Sequence, residues 1–389
     1  MSSISKSNTR RRKQSQPAQA NISTDPPAPF QRKNKNTIAF ILAIPALLLL
    51  LSLSLSPISW IPNFRPTFTS DLPPERIYPD PPFLVRDLPG RGKGVIATRD
   101  ITRGELLIRE SPLFRVPSSI NTSPIDLLHS LLAPLSHAQR EAFYNLSFVN
   151  MPHHLATDTE AYRAHLPLAI FQTNAVAAGS DAIGIFPRMA RLNHGCSHAF
   201  NSVYSWRDDE EVLVVHALKN ISAGEELLTV YFSTMCPRIE RQRQLALDYA
   251  FECTCASCSL PPAQSALSDA RLSQMAALYR QFSSWKNGAV TSNEAVEIAR
   301  KIWRLGEEEG YHSERGRLAA DAALVAAAAG DEAALVAWAQ LAERWAGYEL
   351  GTDSALAREM RAAVAHPQGH ATWGRGRQED VGGPGEGVV

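Results

Sequence analysis

Cysteine is missing from the chain until Cys196, and only five occur in all 389 residues. So thin a supply excludes a disulfide-dense secreted scaffold. An excess of charge is missing too: 39 Lys and Arg face 39 Asp and Glu. The overall charge gives no electrostatic footprint for nucleic acid, and no direct nucleic-acid binding is expected. Long uncharged apolar runs are scarce, with one exception from Thr37 to Ser56. Apolar residues as such are not scarce, and at 44% they suffice for a sizeable core in one large domain or two smaller ones.

The cysteines present are unevenly placed. Cys253, Cys255 and Cys258 crowd into a C-x-C-x-x-C run, Cys196 stands upstream, and Cys236 stands apart. Thiolates this close can converge on one ion, so the run points to metal ligation more than to pairing.

Residues 1–36 are polar and carry Lys6, Arg10, Arg11, Arg12, Lys13, Arg32, Lys33 and Lys35 against a single acid, Asp25. This composition predicts a disordered basic N-terminus. The uncharged stretch 37–56 is long enough to cross a hydrocarbon core of about 30 Å, and it is read as a single transmembrane helix rather than a cleaved signal peptide. Pro45 within it is tolerated in a membrane span. Residues 57–82 form a Pro-rich linker. A single-pass membrane protein of the endomembrane system is expected. The positive-inside bias places the N-terminus in the cytosol and the rest in a lumen, as the sequons at Asn121, Asn145 and Asn220 permit. A reduced cysteine site favours the cytosol instead. The two signals oppose each other, and the side of the membrane is left open.

From Phe83 onward, short apolar runs separated by Gly, Pro and charged turns predict an antiparallel β start, at 83–85, 94–97 and 106–108. Leu127, Leu128, Leu131, Leu132 and Leu135 recur at helical spacing inside an insert of about 115–185. Strands are expected again at 203–206, 211–217 and 227–232. After residue 263 the period is helical, with Leu272, Met275, Tyr279 and Phe282 on one face and Leu335, Trp338, Ala342 and Trp345 on another. These aromatic residues are expected to be core, not a ligand cage. Gly330-Asp331 supplies a helix stop and a new N-cap. The overall expectation is an α+β chain in which an α-helical domain, 263–366, follows the strands and ends in a disordered Gly-rich tail, 367–389.

Four segments together resemble the SET family of protein methyltransferases. The first is Gly90-Arg91-Gly92-Lys93-Gly94-Val95-Ile96-Ala97 with Glu110-Ser111-Pro112, similar to the family's opening G-x-G-x-x-A and E-x-P strands. The second is Arg191-Leu192-Asn193-His194-Gly195-Cys196, similar to R-x-N-H-S-C. The third is Gly224-Glu225-Glu226-Leu227 through Tyr231, similar to G-E-E-[LI]-x-x-x-Y. The fourth is Phe251-Glu252-Cys253-Thr254-Cys255-Ala256-Ser257-Cys258, similar to the post-SET F-x-C-x-C-x-x-C.

The resemblance implies a SET-type β-clip domain over 83–232, a post-SET zinc segment over 236–262, and an S-adenosylmethionine-dependent protein-lysine methyltransferase attached to a membrane. Its rival is a weak or inactive SET-fold protein serving as a zinc-containing interaction module. Tyr231 takes the catalytic position. Arg91, Gly92, Lys93, Asn174, Asn193, His194, Tyr231 and Phe251 are the implied cofactor contacts, with Arg91 and Lys93 suited to the cofactor's carboxylate and Phe251 to a channel wall. One structural zinc ion is implied on Cys196, Cys253, Cys255 and Cys258, Cys196 closing the tetrahedron that three thiolates leave open. Cys236 is expected as a small hydrophobe. The partner implied is a protein substrate presenting a lysine.

Two departures stand out. Gly195 replaces the family's usual Ser, and Ser197-His198-Ala199-Phe200-Asn201 stands where x-P-N is usual, as if two residues were inserted. The insert contains no cysteine, so the MYND zinc finger that divides the domain in some relatives is absent.

Overall fold

A computed structural model describes residues 81–385, all within one compact unit. The expected basic N-terminus and transmembrane helix, and all but the end of the expected linker, lie outside the described residues. Among the described residues, no helix is long and apolar enough to cross a membrane.

The chain opens with an antiparallel hairpin of β1 (Phe83–Leu88) and β2 (Gly92–Ala97), in which Leu88 faces Gly92 and Phe83 faces Ala97. Its turn uses Gly90 and Gly92 at φ +71° and +68°, a backbone region that side chains disfavour. There follow β3 (Leu106–Glu110) and β4 (Arg115–Pro117), then the helical insert: α1 (Pro124–Leu132), α2 (His137–Tyr144) and α3 (Glu160–Asn174). Each insert helix starts where its sequence says it should, with Ser123, Ser136 and Thr159 accepting an N–H of the first turn. Phe114, Leu128, Leu132, Phe143, Ile170 and Ile185 give the insert its own core.

Next come β5 (Val176–Ala177), β6 (Ala182–Gly184), the two-residue β7 (Asn193–His194), β8 (Ser202–Arg207), β9 (Val212–Ala217) and β10 (Glu226–Thr229). The strands form three small sheets, ordered β1-β2-β10-β7, β3-β9-β8 and β4-β6-β5. Val95, Ile108, Leu192, Leu213, Val215 and Leu227 pack between them. Residues 230–232, expected to continue the last strand, lie beyond it, because β10 ends at Thr229 and the Tyr231 N–H bonds to His194 instead of a ladder partner.

The remainder is helical: α4 (Arg238–Tyr249), α5 (Pro262–Ser283), α6 (Ser292–Glu309), α7 (Arg315–Ala329), α8 (Glu332–Leu350) and α9 (Ala355–Ala365). Alanines of α7 are buried against α8, and Trp303, Trp338 and Trp345 fill the core beside them. Gly330 ends α7 in the left-handed region, and the Asp331 carboxylate caps α8 through the Ala334 N–H at 2.9 Å. Leu272 and Met275 of α5 pack with Phe200, Leu218 and Met235, which joins the helical region to the strands.

The expected disorder of the Gly-rich tail needs correction up to residue 385. Its backbone is taken up by the helices: Gly374 and Gly376 donate to Ala327 and Ala328 carbonyls at 2.9 and 2.8 Å. The second oxygen of Asp331 accepts the N–H groups of Val381 and Gly382, at 2.9 and 3.0 Å. Glycine composition reads as disorder only while such partners are out of view.

Candidate active site and metal centre

The pairing of β7 with β10 assembles the cleft. The two strands run parallel with Asn193 opposite Leu228 and His194 opposite Thr229, which brings His194 and Tyr231 together. The entry to β7 is fixed from below. The buried Glu110 carboxylate accepts the N–H groups of Arg188 and Met189 at 2.8 and 3.0 Å, setting the helical turn 189–191 that leads into Asn193.

Asn193 in turn reaches the glycine hairpin. Its amide donates to the Lys93 carbonyl at 3.1 Å and to Glu226 Oε1 at 2.9 Å. Gly94 permits this approach: a Cβ there would lie 2.8 Å from Glu226 Oε1 and 2.9 Å from Asn193 Nδ2. Arg91 pairs with the other Glu226 oxygen at 2.6 Å, and the Lys93 ammonium pairs with Asp87 at 3.1 Å. Arg91, Gly92, Lys93 and Asn193 therefore share one end of the hairpin, with both cations turned to acids of this chain.

His194 is buried and links the two halves of the site. Its Nδ1 accepts the Tyr231 N–H at 3.1 Å, so the ring proton sits on Nε2, which lies 3.0 Å from Cys196 Sγ. Burial is the main cause that pulls His194 down to about 4, so the ring is neutral. Tyr231 packs on His194 with centroids 5.2 Å apart and on Tyr249 at 4.8 Å, and its hydroxyl donates to the Leu192 carbonyl at 3.1 Å. Burial first, and Tyr249 second, push the Tyr231 phenol well above its ordinary range. It is a neutral hydrogen-bond donor, not a base. Phe251, Tyr231 and Tyr249 pack together against the cysteine cluster.

Cys196, Cys253, Cys255 and Cys258 are buried, and their sulfurs all lie within 4.8 Å of one another. Tetrahedral thiolates about 2.3 Å from a zinc ion stand roughly 3.8 Å apart, and the Cys196 and Cys258 sulfurs are 3.6 Å apart. Hydrogen bonds from the other three hold the Cys255 thiol down while the shared contacts push Cys196 up. Four clustered sulfurs are a donor set that a dication suits, and the Nε2–H of His194 is directed at one of them, which would orient that ligand. The half-buried Cys236 packs beside the quartet without joining it.

The irregularity after Cys196 has a structural cause. Residues 197–199 form a short helical turn, with Ser197 at φ +44°, and this turn covers Gly195. A Cβ on Gly195 would lie 2.9 Å from the Phe200 nitrogen and 3.1 Å from Ala199 backbone carbon. The absence of a side chain at residue 195 and the turn 197–199 therefore belong together. Beyond the turn, Asn201 still engages β10, donating to the Glu226 carbonyl at 2.9 Å and accepting the Leu228 N–H at 2.8 Å.

Asn174 stands at the end of α3, where its amide donates to the Ser147 and Ile170 carbonyls at 2.7 Å each; none of its hydrogen bonds reaches the Asn193 cluster. Glu226, Asn201 and Tyr249 were not singled out from the sequence. Glu226 and Asn201 sat inside or beside quoted motifs, whereas Tyr249 carried no signal beyond lying two residues before Phe251.

Residues 92–232 match the family model for the SET domain. The chain is 27% identical over 296 residues to the histone-lysine N-methyltransferase set5 of Schizosaccharomyces pombe, spanning 74% of this chain and 85% of that protein. It is 39% identical over 79 residues to the histone-lysine N-methyltransferase ASHR1 of Arabidopsis thaliana, and 36% identical over 76 residues to the histone-lysine N-methyltransferase SMYD3 of Mus musculus. Those shorter matches span only 16% and 17% of their relatives' length. Among solved structures, the SET domain of LSMT bound to lysine and AdoHcy overlaps 76% of this chain and 93% of its own at 13% identity, with a TM-score of 0.33, too loose an overlap to argue from.

Proposed function

We propose that this chain transfers a methyl group from S-adenosylmethionine to a lysine side chain of a protein. The observation that carries the proposal is the convergence of Asn193, His194 and Tyr231 through the β7–β10 pairing, at the edge of a four-cysteine site. Relatives named as histone-lysine methyltransferases support the reaction class, and histones are a reasonable first substrate to try.

The cofactor supplies an electrophilic methyl on a cationic sulfur. The protein's part is to bind, orient and keep water out. Asn193 with the Lys93 and Gly92 backbone forms a polar edge for the cofactor, and Arg91 and Lys93 become available to a carboxylate if they leave Glu226 and Asp87. Tyr231, Tyr249 and Phe251 form an aromatic wall. Loss of water in such a channel, together with the cationic sulfur beside it, disfavours the ammonium form of a lysine whose ordinary pKa is about 10.4, and the neutral amine is the nucleophile. The neutral Tyr231 hydroxyl orients amine and methyl without accepting the proton, so most of the acceleration comes from positioning. Cys196, Cys253, Cys255 and Cys258 would hold a zinc ion, which would fix the Cys196 end of the Asn193-His194 segment.

One observation favours the second reading, an interaction module without catalysis: both cations suited to the cofactor's carboxylate are already paired with acids. Titration calorimetry with S-adenosylmethionine decides between them. Binding by the wild type that is lost in Asn193→Ala supports the enzyme; heat-silent wild-type protein retaining its zinc supports the module. We further propose that residues 37–56 attach the chain to a membrane. Carbonate extraction of cell membranes tests this, with release of the full chain into the soluble fraction as the contrary result.

A further inference from the structure

Glu309 closes α6 outside the cleft, yet its carboxylate is only 1% exposed. Such a group requires partners, since a buried charge without them is costly. Oε1 accepts Ser197 Oγ at 2.7 Å and Ser268 Oγ at 2.5 Å, and Oε2 accepts Arg271 at 2.8 Å. Ser268 and Arg271 belong to α5, whereas Ser197 opens the short turn 197–199 that covers Gly195. One carboxylate thus ties α5 and α6 to the strand domain at the residue after Cys196.

Ser197 is not at rest there. Its φ of +44° is unfavourable for a residue with a side chain, and the surroundings must impose it. Besides the bond from its hydroxyl to Glu309, its N–H donates to Thr234 Oγ1 at 3.2 Å. The path from this carboxylate to the cleft is short: Glu309 to Ser197, the peptide to Cys196, Cys196 to His194 Nε2, and His194 Nδ1 to the Tyr231 N–H.

We propose that Glu309 is a positioning residue for methyl transfer, which acts through Ser197 to hold the Asn193-to-Cys196 segment in its cofactor-binding place. The docking of α5 and α6 then sets the contacts made by Asn193 and His194, and the departure after Cys196 is the clip through which it does so. The inference rests on the methyltransferase reading.

Two single-atom deletions separate positioning from plain stability. Ser197→Ala and Ser268→Ala each remove one buried hydroxyl from the same oxygen of Glu309, and each is expected to lower the melting temperature by a similar amount. In the full chain held in mild detergent, Ser197→Ala should weaken S-adenosylmethionine binding roughly tenfold, the effect of displacing about one hydrogen-bonded group. It should also raise the KM for the cofactor more than it lowers kcat, and speed zinc release to a chelator. Ser268→Ala should stay near the wild type in all three. Equal cofactor affinity and equal zinc release in the two variants overturn the proposal. Glu309→Gln, which keeps the shape and removes the charge, should follow Ser197→Ala; wild-type affinity in it overturns the proposal too. A wild type that does not bind the cofactor defeats the methyltransferase reading instead, and the zinc-release comparison then decides the role of Glu309 by itself.

Discussion

The Tyr231 hydroxyl donates to the main-chain carbonyl of Leu192, one residue before Asn193, at 3.1 Å. The phenol proposed to orient the reaction is thereby referenced to the same segment that carries the proposed cofactor contact. Tyr231→Phe removes that reference and leaves the packing on His194 and Tyr249. We expect cofactor affinity within a few-fold of wild type and kcat lowered by roughly 100-fold, the scale on which a positioned hydrogen-bonding group at a reacting centre acts. Single-turnover methyl transfer, measured beside calorimetric cofactor binding, checks this; a loss of binding equal to the loss of rate contradicts it.

The cysteine quartet predicts one tightly held zinc per chain. Cys255→Ser should release it and lower the melting temperature by several degrees, because metal binding free energy is folding free energy in such sites. Because His194 Nε2 bonds to Cys196, the same variant should weaken cofactor binding. Elemental analysis with parallel melting curves gives the answer, and a metal-free wild type with an unchanged melting curve refutes the metal centre.

Gly195 sits under the 197–199 turn, so restoring the family's usual residue there should harm this chain. Gly195→Ser drives a Cβ against the Phe200 and Ala199 backbone, and we expect a loss of about 1–3 kcal/mol in denaturant unfolding, as for other overpacked sites. A neutral effect contradicts the account of why glycine stands beneath the 197–199 turn.

Glu349 yields a prediction in pH. It accepts the Glu314 and Gly316 N–H groups at 3.0 Å each, but burial is the larger effect and pushes its carboxyl up to about 8. The folded chain keeps a proton that the unfolded chain releases near 4.5. The contribution is therefore full below pH 4.5 and is lost as pH rises through about 8. Burial shifts Glu314 in the same direction, to about 7. Unfolding of wild type and Glu349→Gln across this window should show the wild type losing stability relative to the variant as pH rises. The opposite slope contradicts the assignment.

Much of this molecule is legible in its sequence, and the physical reasons are specific. Three of the four clustered cysteines stand at the close C-x-C-x-x-C spacing that lets thiolates converge on one ion, and the strands from Phe83 to Ile108 show because Gly and Pro punctuate them. Asn193, His194 and Tyr231 are visible only as motif positions; what joins them is a two-residue parallel strand too short for any periodicity. Nothing in the sequence marks Glu226 and Glu309 as meeting points, since composition does not reveal that Asn193 and Arg91, or Ser197 and Arg271, will converge on them. The ordered tail failed for the same reason: the acceptors of its glycine N–H groups lie some fifty residues upstream, in Ala327 and Asp331.

The most direct measurement is methyl transfer itself. The full chain is incubated with methyl-labelled S-adenosylmethionine and a histone mixture or whole-cell protein extract, in parallel with Tyr231→Phe and Asn193→Ala, and labelled residues are located by mass spectrometry. The account predicts label on lysine with the wild type and its loss in both variants. Equal labelling by all three proteins, or none by a wild type that binds the cofactor, contradicts it.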